Sequence, residues 1–157
     1  MRLTARAAPQ KQWPAIVKSC FKDDVWLLRK YHVSAPCALS AAVADTYLAL
    51  RTCTAPSFVL YGLYAPGLNA PVGMAGVEVE SNFLVTFGLS LPYRTPEGCA
   101  ELANAVRNLC DAERPIQSIL YAKNKPAQRF LVRMGFVATG DLLYHPVTNQ
   151  PGILYST

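Results

Sequence analysis

Histidine is scarce in this chain, and cysteine occurs without pattern. There are two histidines, His32 and His145, and five cysteines, Cys20, Cys37, Cys53, Cys99 and Cys110, with no C-x-x-C pair among them. A structural zinc site draws its thiolate and imidazole ligands from such pairs, so no metal is expected. An odd, unpatterned set is no disulfide framework, and reduced thiols in the cytoplasm are the simplest reading. Charge is thin too: charged residues make up 16% of the chain. No stretch reaches the roughly 18 uninterrupted apolar residues that a membrane helix requires. The nearest, residues 35–50, is broken by Ser40, Asp45 and Thr46 and reads as an amphipathic or buried helix. Internal repeats, low-complexity tracts and linkers are also missing. One α+β domain over residues 1–157 is expected.

Hydrophobic residues amount to 52%, enough to fill a core. The 15 basic residues outnumber the 10 acidic ones, for a net charge of +5. A basic surplus favours anionic partners, whether a nucleic acid or the phosphates of a nucleotide cofactor. Without a Lys/Arg run or interleaved aromatics, nothing singles out nucleic acid. Basic residues lead the chain until Asp23. An acid-free start can be an organellar presequence. Here Leu3, Ala5 and Ala7 alternate with polar residues, as a strand does.

The pattern predicts a strand over 2–8 and a helical fragment over 16–21. A helix capped by Asp23 or Asp24 and another opening at Ser34 follow, the latter with Leu39, Ala42, Val43, Thr46 and Leu50 at helical spacing. Strands are predicted over 57–64, 72–80 and 83–91, joined by tight turns into an antiparallel meander. A loop over 92–98 leads into a helix over 98–111, with Leu102, Ala105, Val106 and Leu109 on its apolar face. A nearly continuous apolar strand over 116–122, a helix over 126–134, a strand over 136–144 and a short strand over 152–155 complete the order.

Two segments carry chemical information. In Leu91-Pro-Tyr-Arg-Thr-Pro-Glu-Gly-Cys-Ala100 a strand gives way to a helix through a short loop. Helix N-termini offer free N–H groups and partial positive charge, and Gly98 lets the backbone approach a phosphate. An ordinary strand–helix connection punctuated by Pro and Gly would look the same. In the second segment, Asn124 is a good N-cap, Pro126 suits a first turn, and Gly135 can end the helix. Ala127, Phe130, Leu131 and Met134 form one apolar face. Lys125, Arg129 and Arg133 form a polar ridge that reads as a solvated face.

Together these segments resemble the GNAT family of acyl-CoA N-acyltransferases. The family's last helix has the form N-x-x-A-x-x-(apolar)-(Tyr)-x-x-x-G-F, matched here by Asn124, Ala127, Phe130, Gly135 and Phe136. Its phosphate loop, a Pro and then (Arg/Gln)-x-x-Gly-x-(Gly/Ala), is matched by Pro92, Gly98 and Ala100. The resemblance implies a GNAT-like α+β fold: a mixed, mostly antiparallel central sheet flanked by helices. Strands 83–91 and 116–122 would run parallel and splay at their C-terminal ends. It implies acetyl-CoA held by Leu91, Arg94, Thr95, Glu97, Gly98, Cys99, Ala100 and Asn124. It also implies an amine acceptor and a carboxylate base. Glu78 and Glu80, two apart, supply the candidates for that base; two solvent-facing acids are the alternative.

Three departures bear on catalysis. The loop's Arg/Gln position falls on Thr95, with Arg94 one residue early, and Pro96 removes a phosphate-binding N–H. The family's frequent Tyr acid falls on Leu131, which cannot donate a proton; Tyr93, Tyr121 and Tyr144 are the substitutes to consider. An N-acetyltransferase in the cytoplasm is one reading. The other, favoured by these departures, is a non-catalytic GNAT-like virion or head-assembly protein of a short-tailed phage, with protein partners.

Overall fold

The computed structural model describes residues 1–21, 57–122, 124–144 and 151–157. The helices expected to open near Asp23 and Ser34 lie outside the described residues, as do Cys37, Cys53, His32 and His145. Strands are β1 (Thr4–Ala7), β2 (Phe58–Tyr64), β3 (Gly73–Glu78), β4 (Phe83–Leu89), β5 (Gln117–Tyr121), β6 (Val137–Tyr144) and β7 (Pro151–Ser156). The helices are α1 (Trp13–Phe21), α2 (Pro96–Leu109) and α3 (Lys125–Arg133). All seven strands join one sheet in the order β1-β2-β3-β4-β5-β7-β6. Every pairing is antiparallel except β4 with β5, which is parallel.

Two apolar clusters flank the sheet. On one face, Trp13, Ile16, Val17 and Cys20 of α1 meet Phe58, Leu60, Met74 and Val85. The Trp13 and Phe58 rings touch edge to face at 5.4 Å. On the other face, Leu102 and Val106 of α2 and Leu131 of α3 pack with Leu63, Val77 and Leu84. Each such side chain, fully buried, contributes about 1.5–3 kcal/mol.

The strands that flank the site are shaped by two local features. Gly76 faces Thr86 while Val77 faces Leu84, so Val85 is an extra residue in β4. Such a bulge bends its strand and sharpens the twist. Beyond it β4 has no partner in β5, because the two strands pair only at Phe83 and Gln117. The Ser118 hydroxyl donates to the Leu84 carbonyl at 2.8 Å, just past that pair. The strands are therefore joined at their start and open toward their C-terminal ends.

Asn82 fastens the joined end. Its backbone φ is +58°, a conformation that Asn tolerates better than most residues. Its side-chain NH2 donates to the carbonyls of Asp111 and Arg114 at 3.1 Å and of Pro115 at 3.3 Å, while its Oδ1 accepts from the Asp111 N–H at 2.9 Å. The turn at Asn82 also ends β3 at Glu78, two residues before the end expected from alternation alone.

Candidate active site

A cleft of 460 Å³ opens between β4, the start of α2 and one side of α3. Phe87, Leu89, Leu102 and Phe130 give it an apolar floor, and Arg94, Arg129 and Arg133 stand at its rim. Among the described residues no carboxylate lines it. The Phe87 and Phe130 rings lie 5.4 Å apart, so an aromatic contact joins β4 to α3 across the floor of the cleft.

The loop residues fall into three groups. Arg94 and Cys99 line the cleft, and the Arg94 Nε donates to the Leu89 carbonyl at 2.8 Å. Thr95 and Gly98 serve the loop itself. Thr95 is the N-cap of α2, and its Oγ1 accepts from the Gly98 N–H at 3.0 Å. Gly98 is buried because the Tyr93 carbonyl oxygen fills the space where a Cβ would stand. Leu91, Glu97 and Ala100 are exposed and do not line the cleft.

Helix α3 presents its motif as the spacing requires. The Asn124 Oδ1 caps it by accepting from the Ala127 N–H at 3.3 Å, and Asn124 lines the cleft. Gly135, at φ +94°, ends it. Its N–H donates to the Val132 carbonyl at 3.0 Å and the Phe136 N–H to Leu131 at 3.0 Å, a Schellman closure. The basic ridge is not merely a solvated face. Arg129 and Arg133 are exposed, yet both border the cleft; Lys125 does not. The available sequence signal was the stripe Pro126, Arg129, Phe130 and Arg133, which runs beside the apolar face.

Leu131 is fully buried in the core and absent from the cleft lining. Of the alternative tyrosines, Tyr93 packs against the α2 cluster and Tyr144 is 69% exposed on β6. The side chain of Tyr121 lies outside the described residues. A buried hydroxyl that the sequence reading passed over belongs to Tyr155, which donates to the Gln128 Oε1 at 3.2 Å.

Glu78 and Glu80 part company. Glu78 ends β3, opposite Phe83, the residue where β4 and β5 are still joined. The Ser57 hydroxyl donates to its Oε1, and its Oε2 is buried with no hydrogen-bond partner among the described residues. Glu80 sits in the turn after β3 and is exposed, so the two do not share a strand face. Burial pushes the Cys20 thiol up to about 12 from 9.0, with the Arg94 guanidinium pulling it the other way. Among the described residues no group of three metal-ligating side chains converges. No helix among them is long and apolar enough to cross a membrane.

This sheet, opened between two parallel strands and covered by helices on both faces, is the GNAT acyl-CoA N-acyltransferase fold. Comparison with solved structures bears this out. An acetyltransferase from Thermus thermophilus matches with a TM-score of 0.66 at 17% identity, over 100% of this chain and 97% of its own. A spermidine N-acetyltransferase from Vibrio cholerae, solved with CoA and spermine, gives 0.65 at 13% identity over 99% and 95%. The PaiA N-acetyltransferase from Thermoplasma acidophilum, in complex with coenzyme A, gives 0.59 at 10% identity over 100% and 99%. No family model and no curated protein matches the chain in sequence.

Proposed function

We propose that the protein is an N-acetyltransferase that moves an acetyl group from acetyl-CoA to an amine. The observation that carries this is the cleft itself: an apolar floor on the open side of β4, rimmed by three arginines and, among the described residues, no acid. An apolar floor beside a cationic rim fits the slender pantetheine arm of an acyl-CoA and the phosphates at its far end. Asn124, Arg94, Arg129 and Arg133 would hold the cofactor, with Phe87, Leu89 and Phe130 along its arm. Cys99 borders the cleft beside Arg94. Acetyl-CoA, when bound, supplies a thioester carbonyl open to attack.

Glu78 is the candidate base. Its Oε2 lies at the joined end of the splayed strands, with Ser57 fixing the other oxygen. In the transfer, the amine nitrogen would bond to the thioester carbon as the carbon–sulfur bond breaks, and Glu78 Oε2, which does not line the cleft, would take the nitrogen's proton through water. The sulfur leaves as a thiolate. With Leu131 in the core, no side chain of α3 protonates it. A thiol of ordinary acidity, pKa roughly 8.5, can leave as the anion at moderate cost. Turnover is therefore expected to be slow. Glu80, exposed in its turn, has no part in the step.

A thermal-shift titration tests the reading. Acetyl-CoA at 100 times its dissociation constant stabilises a binder by about 2.7 kcal/mol. Thiol release in the presence of an amine panel then tests turnover, and Glu78→Gln should lower it by about 10² to 10⁴ without weakening the thermal shift. A flat titration sinks the enzyme reading. It would leave the virion or head-assembly alternative, which nothing in the comparisons supports.

A further inference from the structure

We propose that the phosphates of the bound cofactor are held chiefly by Arg129 and Arg133 of α3, rather than by the opening turn of α2. The proposal rests on the acyl-CoA reading above.

The opening turn of α2 has few donors left. Pro96, its first residue, has no N–H. The Gly98 N–H is taken by Thr95 Oγ1 and the Cys99 N–H by the Thr95 carbonyl at 2.8 Å. Of the first three helical positions, only the Glu97 N–H lacks a partner among the described residues. The Glu97 carboxylate, held by the Met1 ammonium at 2.5 Å, offers an anion no donor. A Cβ at Gly98 would meet the Tyr93 carbonyl oxygen, so the glycine answers to the loop's own packing.

The opposite wall has what the turn lacks. Arg129 and Arg133 are one helical turn apart on the same side of α3, and both border the cleft. Neither makes an ion pair among the described residues. Two adjacent guanidinium groups match the geometry of a diphosphate, each offering paired donors in a fork. Arg94 completes the rim, but its Nε is tied to the Leu89 carbonyl at the end of β4. It is a fixed edge of the cleft, whereas the α3 arginines carry their full donor sets to the ligand. The helix has taken over the neutralising role that the loop gave up with Pro96 and Thr95.

Isothermal titration of the full chain with CoA, and separately with pantetheine, which has no phosphate, tests this. The variants are the Arg129→Gln/Arg133→Gln double and Arg94→Gln. The double is expected to lose about 100-fold in CoA affinity, roughly tenfold for each charged contact. It should also flatten the salt dependence of CoA binding and leave pantetheine binding as in the wild type. Arg94→Gln should cost less than the double. Both α3 positions are exposed, so the unliganded thermal midpoint should hold. Should it fall, the Arg129→Lys/Arg133→Lys variant, which keeps the charge, must recover most of the affinity. If the double binds CoA as the wild type does, or if Arg94→Gln costs more, the loop holds the phosphates and the proposal is overturned. If the wild type binds no CoA, the acyl-CoA reading fails and takes this proposal with it.

Discussion

The two halves of the family motif fare differently in the folded chain. In α3 every matched residue keeps a role. Asn124 caps the helix at the cleft edge, Ala127 and Phe130 line the cleft, Gly135 closes the helix, and Phe136 is buried. In the loop before α2 the matched glycine keeps its place but serves the loop's own packing against Tyr93. Thr95, at the family's basic position, turns its hydroxyl onto the N–H that would meet a phosphate. A match in spacing reports that a backbone path is kept. Whether its donors remain free depends on the residues between the matched positions.

The largest contrast is in packing. Leu131 is fully buried, whereas Leu91 in the loop is 55% exposed. Leu131→Ala should cost about 2–5 kcal/mol in chemical denaturation. Leu91→Ala should stay within about 0.5 kcal/mol. Equal costs would mean that the loop is covered. Leu131→Tyr should cost about 1–3 kcal/mol by overpacking, and on folded protein it should not raise turnover, since the side chain does not reach the cleft. Faster turnover would show that the helix can present that position to the sulfur after all.

Alkali should separate the two regions next. Cys20, which feels Arg94, is raised to about 12, and Cys110, at the end of α2, to about 11, both by burial. Helix α3 contains no cysteine. Each thiol holds its proton more tightly folded than unfolded, so its contribution is intact below the ordinary value of 9.0 and is lost as pH rises toward the folded value. For buried Cys20 the loss is at most about 1.4 kcal/mol per pH unit. Half-buried Cys110 should lose less, because water screens it. Denaturation midpoints of wild type and Cys20→Ala, compared from pH 8 to about 10.5, should converge as pH rises. A constant gap would mean that the Cys20 thiol is not held neutral by the fold.

Most of the sheet was legible in advance because its signals are local. Alternation, turn residues and the unbroken apolar run of β5 set the strands, and the helix between β4 and β5 set their parallel direction. The end of β3 was missed because it depends on Asn82, whose side chain binds backbone about 30 residues away, beyond the reach of any periodicity. The candidate site was legible in part for the same reason. Asn124 was placed at the cleft by motif spacing, and Arg94 and Cys99 by their seat in the loop, where Arg94 stands one residue off the motif. Arg129 and Arg133 were assigned to solvent because a helical wheel shows which residues share a side, not what stands opposite. The seat of Glu78 beside Ser57 likewise follows from the pairing of β2 with β3.

The smallest expected effect is the most direct comparison, because α2 and α3 are capped in the same way. Thr95 Oγ1 accepts from the Gly98 N–H at 3.0 Å, and Asn124 Oδ1 from the Ala127 N–H at 3.3 Å. Both follow the cap with Pro in the first turn. Replacing either cap with Ala should cost about 1 kcal/mol, within a range of about 0.5–2 kcal/mol, by leaving an N–H without its acceptor. Cofactor affinity should then diverge. Asn124→Ala removes a side chain that borders the cleft, so stability and acetyl-CoA affinity should fall together. Thr95→Ala removes the hydroxyl that occupies the Gly98 N–H and returns that donor to the anion's side of the turn. Its stability should fall while its affinity holds or rises. Titration of both variants with acetyl-CoA, beside their unliganded denaturation midpoints, reads the two quantities separately. Parallel losses of affinity would mean that the loop hydroxyl itself contacts the ligand. A loss in neither would place the phosphates away from both helix starts, against the outer arginines alone.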